Sequence, residues 1–470
     1  MQISEIKRLS RVVGKITLPV LVEQFFVVIM GVINTMLASN LGKTAISSIG
    51  MIDSISNIIV SLFAALALGG TVTVAQYTGH QDRDSANQTA AQAVLSSLVI
   101  SGVVTITLAL LKKPLLIALY GEVEPIVWQN AMDYLSIALW SYIPISIVSV
   151  CFGILRGAGD TRTPMTISIW MNVLNVIFSY ILIYGVRINF DGLVFQLPGY
   201  GVRGAAAGLA LARVIGMILV LIPLIRGSKK IVLNNLHAFK LRWDLLRCIF
   251  ILGIPASAEQ LMFQGGRLVT QTFIARLGTD AMAANTITTS INNISLIPGQ
   301  AIAIAATAII GRQIGAHKNK EAKQQLTFLV VFSSIAMGLA SLFIFITKNG
   351  FIQLYTQDPQ IMRLASLILS ASLLVQPLVY STSFVIPAGL RGAGDIRYTM
   401  IVSIISMWVL RIFLGYIFSV ILPWGVLGVW IGMFIDWFGR SILFIRRMSH
   451  QEWMHRAVFQ SRQLNQDPEI

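Results

Sequence analysis

Long apolar stretches alternate with short polar connectors along the whole chain. The apolar stretches run for roughly 20 residues or more, the length that an α-helix needs to cross a hydrocarbon layer about 30 Å thick. Because apolar residues follow one another without a period of two, the pattern predicts helices and not the strands of a barrel. Twelve spans are predicted, at residues 16–39, 48–75, 90–111, 134–154, 165–185, 204–225, 252–275, 285–310, 326–347, 364–388, 399–421 and 425–445.

The composition is that of a chain that lies mostly in lipid. Of its 470 residues, 55% are hydrophobic and only 12% are charged, and the mean hydropathy is +0.75. An average soluble chain carries about 25% charged residues. We therefore expect an all-α integral membrane protein with twelve transmembrane helices, surrounded by the lipid bilayer.

The net charge of +15 is carried mainly by the connectors between spans. In a soluble protein such a charge would favour nucleic acid as a partner, but this chain has no compact basic domain, so no nucleic-acid binding is expected. Lys and Arg are concentrated in alternate connectors, and the positive-inside rule then places both termini in the cytoplasm. The expected location is a bacterial-type cytoplasmic (inner) membrane.

One polar phrase occurs twice, each time between two apolar stretches. Residues 155–162 read Leu-Arg-Gly-Ala-Gly-Asp-Thr-Arg and residues 390–397 read Leu-Arg-Gly-Ala-Gly-Asp-Ile-Arg, so seven of the eight positions are identical. The second copy follows the first after half the length of the chain. The sequence therefore consists of two copies of one six-span unit.

The even number of spans in each copy determines the predicted domain organisation. The second copy enters the membrane from the same side as the first, so an axis along the membrane normal relates the two bundles and a cleft lies between them. We expect an N-terminal six-helix bundle at residues 1–225, a cytoplasmic linker at 226–247, a C-terminal six-helix bundle at 248–446 and a cytoplasmic tail at 447–470. A monomer is expected.

The repeated phrase is typical of a tight turn between two helices. Its glycines allow left-handed backbone angles, and its aspartate can accept hydrogen bonds from the free N–H groups of the next helix. Its arginine can pair with carbonyls, carboxylates or lipid phosphates. We predict a structural role without substrate contact for Arg156, Gly157, Asp160, Arg391, Gly392 and Asp395.

The duplicated unit, the phrase after the fourth and tenth spans and the Pro255-x-x-x-Glu259 motif that opens the seventh span resemble the multidrug and toxic compound extrusion (MATE) family. The same motif opens the first span as Pro19 and Glu23. The resemblance implies an exporter, not an enzyme, that alternates between inward-open and outward-open forms. A proton or sodium gradient would drive it, with no other cofactor, and it would expel organic cations, drugs or metabolites.

Two positions depart from the pattern of the family. Members commonly carry an aspartate in the first span, in a Gly-x-x-Asp-Thr context, where this chain has Asn34. In another branch an aspartate precedes the phrase in the tenth span, where this chain has Ser381, Thr382 and Ser383. The usual coupling carboxylates are thus absent from both places, and the choice between H⁺ and Na⁺ stays open.

Carboxylates inside spans are the candidates for cation coupling, because one at the bilayer centre costs roughly 2.5–3.5 kcal/mol on insertion scales. Glu259 is the first candidate. It follows Pro255, where a break in the helix would leave carbonyl groups free to help bind a proton or sodium. The alternative is an ion pair with Arg267, eight residues further on.

The other membrane carboxylates have structural alternatives of their own. Glu23 is the repeat equivalent of Glu259, unless it simply lies near the cytoplasmic end of its span. Asp53 is the third coupling candidate, and its alternative is a place at a helix N-terminus, stabilised by the dipole. Asp436 lies four residues before Arg440, a spacing that favours an internal ion pair.

Polar residues within spans are the candidates for lining a substrate cavity. For the amides among them the alternative is hydrogen bonding between helices, which membrane bundles use routinely. The candidates are Asn34, Asn172, Asn175, Asn285, Asn292 and Arg411.

Two other classes of protein were weighed against a small-molecule exporter. A lipid-linked oligosaccharide flippase shares the two-bundle architecture, but it often has two additional spans and a basic cavity. An intramembrane enzyme is not expected, because the sequence contains no His-Glu-x-x-His, no Gly-x-Ser-x-Gly in a span, no metal-ligand cluster and no phosphate-binding loop.

Overall fold

The computed structural model describes residues 3–121, 123–190, 193–227, 231–233, 240–422 and 424–456. Within these ranges twelve helices are long and apolar enough to cross a membrane, which confirms the predicted fold class. They are α1 Ile3–Ser39, α2 Lys43–Gly79, α3 Arg83–Tyr120, α4 Pro125–Ala158, α5 Arg162–Tyr184, α6 Gly201–Arg226, α7 Trp243–Arg276, α8 Thr279–Gly315, α9 Asn319–Gln353, α10 Pro359–Ala393, α11 Ile396–Ile421 and α12 Gly425–Ser449.

Most of these helices extend beyond the predicted spans. For example, α2 covers residues 43–79, whereas the apolar pattern predicted 48–75. The reason is that hydropathy marks only the part of a helix that lies in hydrocarbon, while the helical hydrogen bonds continue into the polar connector.

Three of the helices contain irregular turns. In α4 a 3₁₀ turn occupies Leu139–Ser141. In α10 a π-helical segment occupies Ser381–Val385, and α11 contains two more at Ser406–Phe413 and Ile417–Ile421. Such π-helical segments are rare and frequently mark functional sites. Among the described residues they occur only in the second half of the chain.

A β-hairpin, which was not predicted, follows α5. Strand β1, Val186–Phe190, pairs antiparallel with strand β2, Leu193–Leu197, with Val186 opposite Leu197. The sequence carries a signal for it, because Asp191-Gly192 is a typical hairpin-turn pair between short runs rich in β-branched residues and Phe. The hairpin is a local addition at this connector, and the predicted all-α fold class is confirmed.

The chain forms two compact units that do not follow the two halves of the sequence. Residues 25–74 and 83–253 form what we call the N-terminal unit. Residues 1–24, 75–82 and 254–470 form what we call the C-terminal unit. The start of α1 and the end of α2 thus pack with the second copy of the repeat.

Each unit has its own apolar core. In the N-terminal unit, Ile154 and Leu155 of α4 pack with Leu224 of α6. In the C-terminal unit, Ile310 of α8 packs with Leu326 of α9. These side chains are fully buried, as the interior positions of packed helices should be.

The duplication is visible in the backbone of the turns. Gly42 and Gly278 occupy equivalent positions of the two copies and have φ angles of +97° and +101°. The phrase glycines Gly159 and Gly394 have φ angles of +93° and +100°. Only glycine adopts such left-handed angles without strain, so the matched glycines fix the same turn in both copies.

The linker and the tail differ from their predicted extent. Helix α6 ends at Arg226 and α7 begins at Trp243, so the connector is shorter than predicted. Residues 228–230 and 234–239 lie outside the described residues, as do 457–470 of the predicted tail. A 3₁₀ helix, Glu452–His455, follows α12, and its Trp453 is fully buried in the core of the C-terminal unit.

Candidate functional site

The first copy of the phrase makes the contacts of a helix cap. The Asp160 carboxylate accepts hydrogen bonds from the backbone N–H groups of Arg162 and Thr163, both at 3.1 Å, and from the Thr163 hydroxyl at 2.7 Å. The N–H of Gly159 donates to the carbonyl of Arg156 at 2.9 Å. Gly157 is buried in the last turn of α4. This turn joins α4 rigidly to α5.

The second copy uses its aspartate differently. The Asp395 carboxylate accepts from the Arg447 guanidinium on α12 at 2.8 Å and caps no helix. Gly392 lies so close to the Thr307 carbonyl that a Cβ there would overlap it, and its own carbonyl accepts from the Gln76 side chain at 3.0 Å. The second phrase is therefore held against neighbouring helices.

Glu259, the first coupling candidate, forms an ion pair with Arg391 of the second phrase. One guanidinium nitrogen lies 3.1 Å and 3.3 Å from the two carboxylate oxygens. The side chains are 15% and 22% exposed. The alternative of an ion pair with Arg267 is wrong, because eight residues along a helix separate two positions by about 12 Å.

The other two coupling candidates lie on α1 and α2. Glu23 is buried on α1, and its distance from the cytoplasmic end of the span stays a prediction. Asp53 is half-buried on α2, ten residues after the helix begins at Lys43. A helix N-terminus therefore does not stabilise Asp53, and that alternative is wrong.

Asp53 lies in a polar cluster inside the N-terminal unit. It accepts a hydrogen bond from the Tyr134 hydroxyl at 3.3 Å and lies within electrostatic range of Arg213. Arg213 donates to the Ser141 hydroxyl at 2.7 Å. Tyr142, also near Asp53, shares a hydrogen bond of 2.8 Å with Ser56. We refer to Asp53, Tyr134, Tyr142 and Arg213 as the Asp53 cluster.

Two of the predicted cavity asparagines connect helices of the C-terminal unit. Asn285 on α8 accepts from the Trp430 indole at 3.0 Å. Asn292 on α8 accepts from Ser372 on α10 at 2.9 Å and also from Gln376. These are the contacts of interhelical hydrogen bonding, and a role in lining a cavity stays a prediction.

The remaining cavity asparagines lie in the N-terminal unit. Asn172 donates to the Ser168 carbonyl one turn before it at 2.8 Å, and Asn175 accepts from Ser179 at 3.1 Å. Asn34 is half-buried on α1. The structure therefore places Asn172 and Asn175 in hydrogen bonds within α5.

Arg411 lies beside a buried ion pair in the C-terminal unit. Asp436 and Arg440 are 3.0 Å apart with 0% and 3% of their side chains exposed, as their spacing predicted. The guanidinium carbons of Arg411 and Arg440 lie 5.7 Å and 5.9 Å from the centre of the same ring, Phe263. Arg267 is one turn further along α7 and within electrostatic range of Arg411. We refer to these five residues as the Arg411 cluster.

Sequence analysis missed Phe263 as part of this site. It lies four residues after Glu259 and four before Arg267, so helical spacing places all three on one face of α7. That pattern was available in the sequence. A stripe containing two charged residues at mid-span indicates a face that avoids lipid.

Within the part of the chain that the structure describes, twelve helices are long and apolar enough to span a membrane, and ion pairs and arginines lie inside them. This arrangement, built from a duplicated unit, is typical of a membrane transporter. The chain belongs to the MATE family, because the family model named MatE matches residues 19–181 and again residues 255–417. The two matches begin at Pro19 and Pro255, the prolines that open the repeated motif of the first and seventh spans. MATE proteins are transporters and not enzymes, and this chain is a multi-pass protein of the cytoplasmic membrane.

Relatives cover almost the whole chain. It is 26% identical over 445 residues to the "Uncharacterized transporter YisQ" of Bacillus subtilis, covering 94% of this chain and 95% of that protein. It is 27% identical over 461 residues to the "Probable multidrug resistance protein NorM" of Thermotoga maritima, covering 97% and 95%.

Solved structures share the fold. A multidrug resistance MATE family transporter in an outward-facing conformation superposes with a TM-score of 0.83 at 21% identity, over 94% of this chain and 97% of that one. A MATE protein in the bent conformation gives 0.82 at 22% identity, over 96% and 99%. These two structures show that this chain has the fold of MATE transporters.

Proposed function

We propose that the protein is a proton-coupled antiporter that exports amphiphilic organic molecules by alternating access, with both termini in the cytoplasm. Its family and a relative named for multidrug resistance support export. The flippase alternative has no support among the relatives named above.

The observation that carries the proposal is the environment of Asp53. This carboxylate is half-buried between the ends of α2, and within the described residues its hydrogen bond comes from Tyr134 alone. It makes no ion pair there, so it can gain a proton without breaking one. A membrane carboxylate of this kind is the usual partner of a transported proton.

A proton fits this environment better than sodium. A sodium ion needs several oxygen ligands, but Asp53 is surrounded by a phenolic donor and a nearby guanidinium. The guanidinium of Arg213 would repel a metal cation, whereas a proton binds to a single carboxylate oxygen.

Glu259 serves a different purpose in this proposal. Its ion pair with Arg391 joins α7 to the end of α10. Glu259 therefore links two helices of the C-terminal unit.

Proton binding at Asp53 can change the conformation through Arg213. The charged carboxylate compensates the guanidinium in a half-buried environment, and the neutral acid does not. A form of the N-terminal unit that gives Arg213 another acceptor or more water is then favoured. The free energy of proton binding thereby shifts the balance between conformations.

The test measures export from proteoliposomes under an imposed pH or sodium gradient, with ethidium as substrate. The wild type should respond to the pH gradient alone, and Asp53→Asn should lose the response. Asp84→Asn, an exposed change in the same unit, is the matched control, and Glu259→Gln should keep its dependence on the pH gradient. Export that follows sodium, or wild-type coupling in Asp53→Asn, would contradict the proposal.

A further inference from the structure

We infer that the Arg411 cluster binds the anionic group of an aromatic organic acid, which makes such acids substrates of this transporter. The inference rests on the proposed export function and names a substrate class for it. It differs from the organic cations that the resemblance to the MATE family implied. The residues that carry it all belong to the C-terminal unit.

The first step is the balance of charges within the six predicted spans of the second half, residues 252–275 to 425–445. The carboxylates in these spans are Glu259 and Asp436, and each is already paired with an arginine. Arg267 and Arg411 remain, and neither makes an ion pair within the described residues. This part of the unit therefore carries an excess of positive charge.

The second step is the state of the Arg411 guanidinium. Its Nε atom is fully buried and has no hydrogen-bond acceptor among the described residues, and the same holds for the Nε of Arg440. A buried charged donor without an acceptor is costly, so such groups call for an explanation. A ligand that brings a carboxylate to this place supplies the missing acceptors.

The third step is the shape of the surroundings. The Phe263 ring lies within 6 Å of both guanidinium groups, and Phe384 lies 4.7 Å from that of Arg440. Guanidinium forks bind planar carboxylates through two parallel hydrogen bonds, and aromatic rings pack against apolar or aromatic bodies. Together they match an acid whose charged group is attached to a ring.

The fourth step is access. Arg267 is exposed and Phe263 is half-buried, while Arg440 and Asp436 are buried, so the cluster runs from an accessible edge to a closed interior. We expect an exposed arginine within a span to face water or a polar path and not hydrocarbon. Arg411 lies in the π-helical segment Ser406–Phe413, the type of distortion that frequently accompanies binding sites.

The experiment compares two probes that differ by one charge. Purified protein is placed in nanodiscs of phosphatidylcholine and titrated calorimetrically with naphthalene-2-carboxylate and, separately, with naphthalene-2-carboxamide. The wild type should bind the carboxylate at least tenfold more tightly than the amide, since hydrogen bonds to a charged group are the stronger ones.

The variants locate the site. Arg411→Gln and Arg267→Gln should each weaken binding of the carboxylate by about tenfold or more and leave binding of the amide unchanged. Arg411→Lys should recover part of the loss, which separates a charge effect from misfolding. Because Arg267 is exposed, its variant folds without a packing cost. Arg363→Gln removes an exposed positive charge from the same unit and should bind like the wild type.

Equal binding of the two probes, or wild-type affinity in both glutamine variants, overturns the inference. Adding phosphatidylglycerol to the discs tests another source of anions. If this lipid abolishes carboxylate binding in the wild type, a lipid headgroup is the occupant and the organic acid is not. Binding needs no gradient, so a failure of proton-driven ethidium export would refute the proposed function and leave this result standing.

Discussion

In the N-terminal unit, the aspartate and the arginine within the predicted spans are Asp53 and Arg213, which lie within electrostatic range without an ion pair. In the C-terminal unit, Asp436 is bound directly to Arg440, and Arg411 lies within electrostatic range of the same Asp436 but makes no ion pair of its own among the described residues. One unit therefore has a carboxylate without an ion pair within its predicted spans, and the other has an arginine without one. The proposed proton site and the inferred anion site rest on this difference.

The backbone of the two copies differs far less than their charges do. The turns at Gly42 and Gly278 have nearly the same φ angle, and so do those at Gly159 and Gly394. The duplication thus preserved the path of the chain, while the charged residues inside it diverged. Function has to be sought where the copies differ.

The largest expected effect tests the difference between the two interior arginines. Arg440→Met leaves Asp436 charged and buried without its partner, and loss of one member of a buried pair costs about 3–5 kcal/mol. Arg213→Met removes a hydrogen bond to Ser141, worth about 1.5–3 kcal/mol for a charged donor. Thermal unfolding in detergent measures both. If Arg440→Met and Arg213→Met lower the free energy of unfolding equally, the contrast between the two units is refuted.

The next effect tests what the two copies share. Gly79 at the end of α2 and Gly315 at the end of α8 are equivalent positions of the repeat, and both belong to the C-terminal unit. A Cβ on Gly79 would overlap the Arg312 carbonyl, and a Cβ on Gly315 would overlap the Gln76 carbonyl. Gln76 and Arg312 are themselves equivalent positions of the repeat. The contact is thus reciprocal.

Because backbone atoms cannot move aside as a side chain does, Gly79→Ala and Gly315→Ala should each destabilise the protein by about 1–3 kcal/mol. Gly350→Ala is the control, because a Cβ there has open space around it and replaces a flexible residue within α9. That variant should be neutral or stabilised by up to about 1 kcal/mol. If thermal unfolding shows that Gly350→Ala destabilises the protein as much as Gly79→Ala and Gly315→Ala do, the reciprocal contact is refuted.

The parts of the structure that the sequence predicted are those set by local pattern. Continuous apolar runs predicted the twelve helices, and the repeated phrase predicted the duplication. The partner of Glu259 could not be predicted, because Arg391 lies far along the chain and only tertiary packing brings them together. The π-helical segment around Arg411 leaves no mark in hydropathy, since its side chains are mostly apolar as in any span. The position of Phe263 was readable from its spacing to Glu259 and Arg267, but its contact with Arg440 was not.

The smallest effect concerns the two aspartates of the repeated phrase. Asparagine caps a helix about as well as aspartate, so Asp160→Asn should cost only a few tenths of a kcal/mol, roughly 0.3. Asp395→Asn loses the charge that pairs with Arg447 and should cost about 1.5 kcal/mol, as expected for a mostly buried charged hydrogen bond. Thermal unfolding of the two single variants, with Arg447→Gln alone and combined with Asp395→Asn, measures the coupling. The ion pair does not hold the second phrase to α12 if Asp395→Asn costs as little stability as Asp160→Asn. The same conclusion follows if the effects of Asp395→Asn and Arg447→Gln simply add in the double variant. The two copies would then differ in their sequence context and not in how their aspartates stabilise the turn.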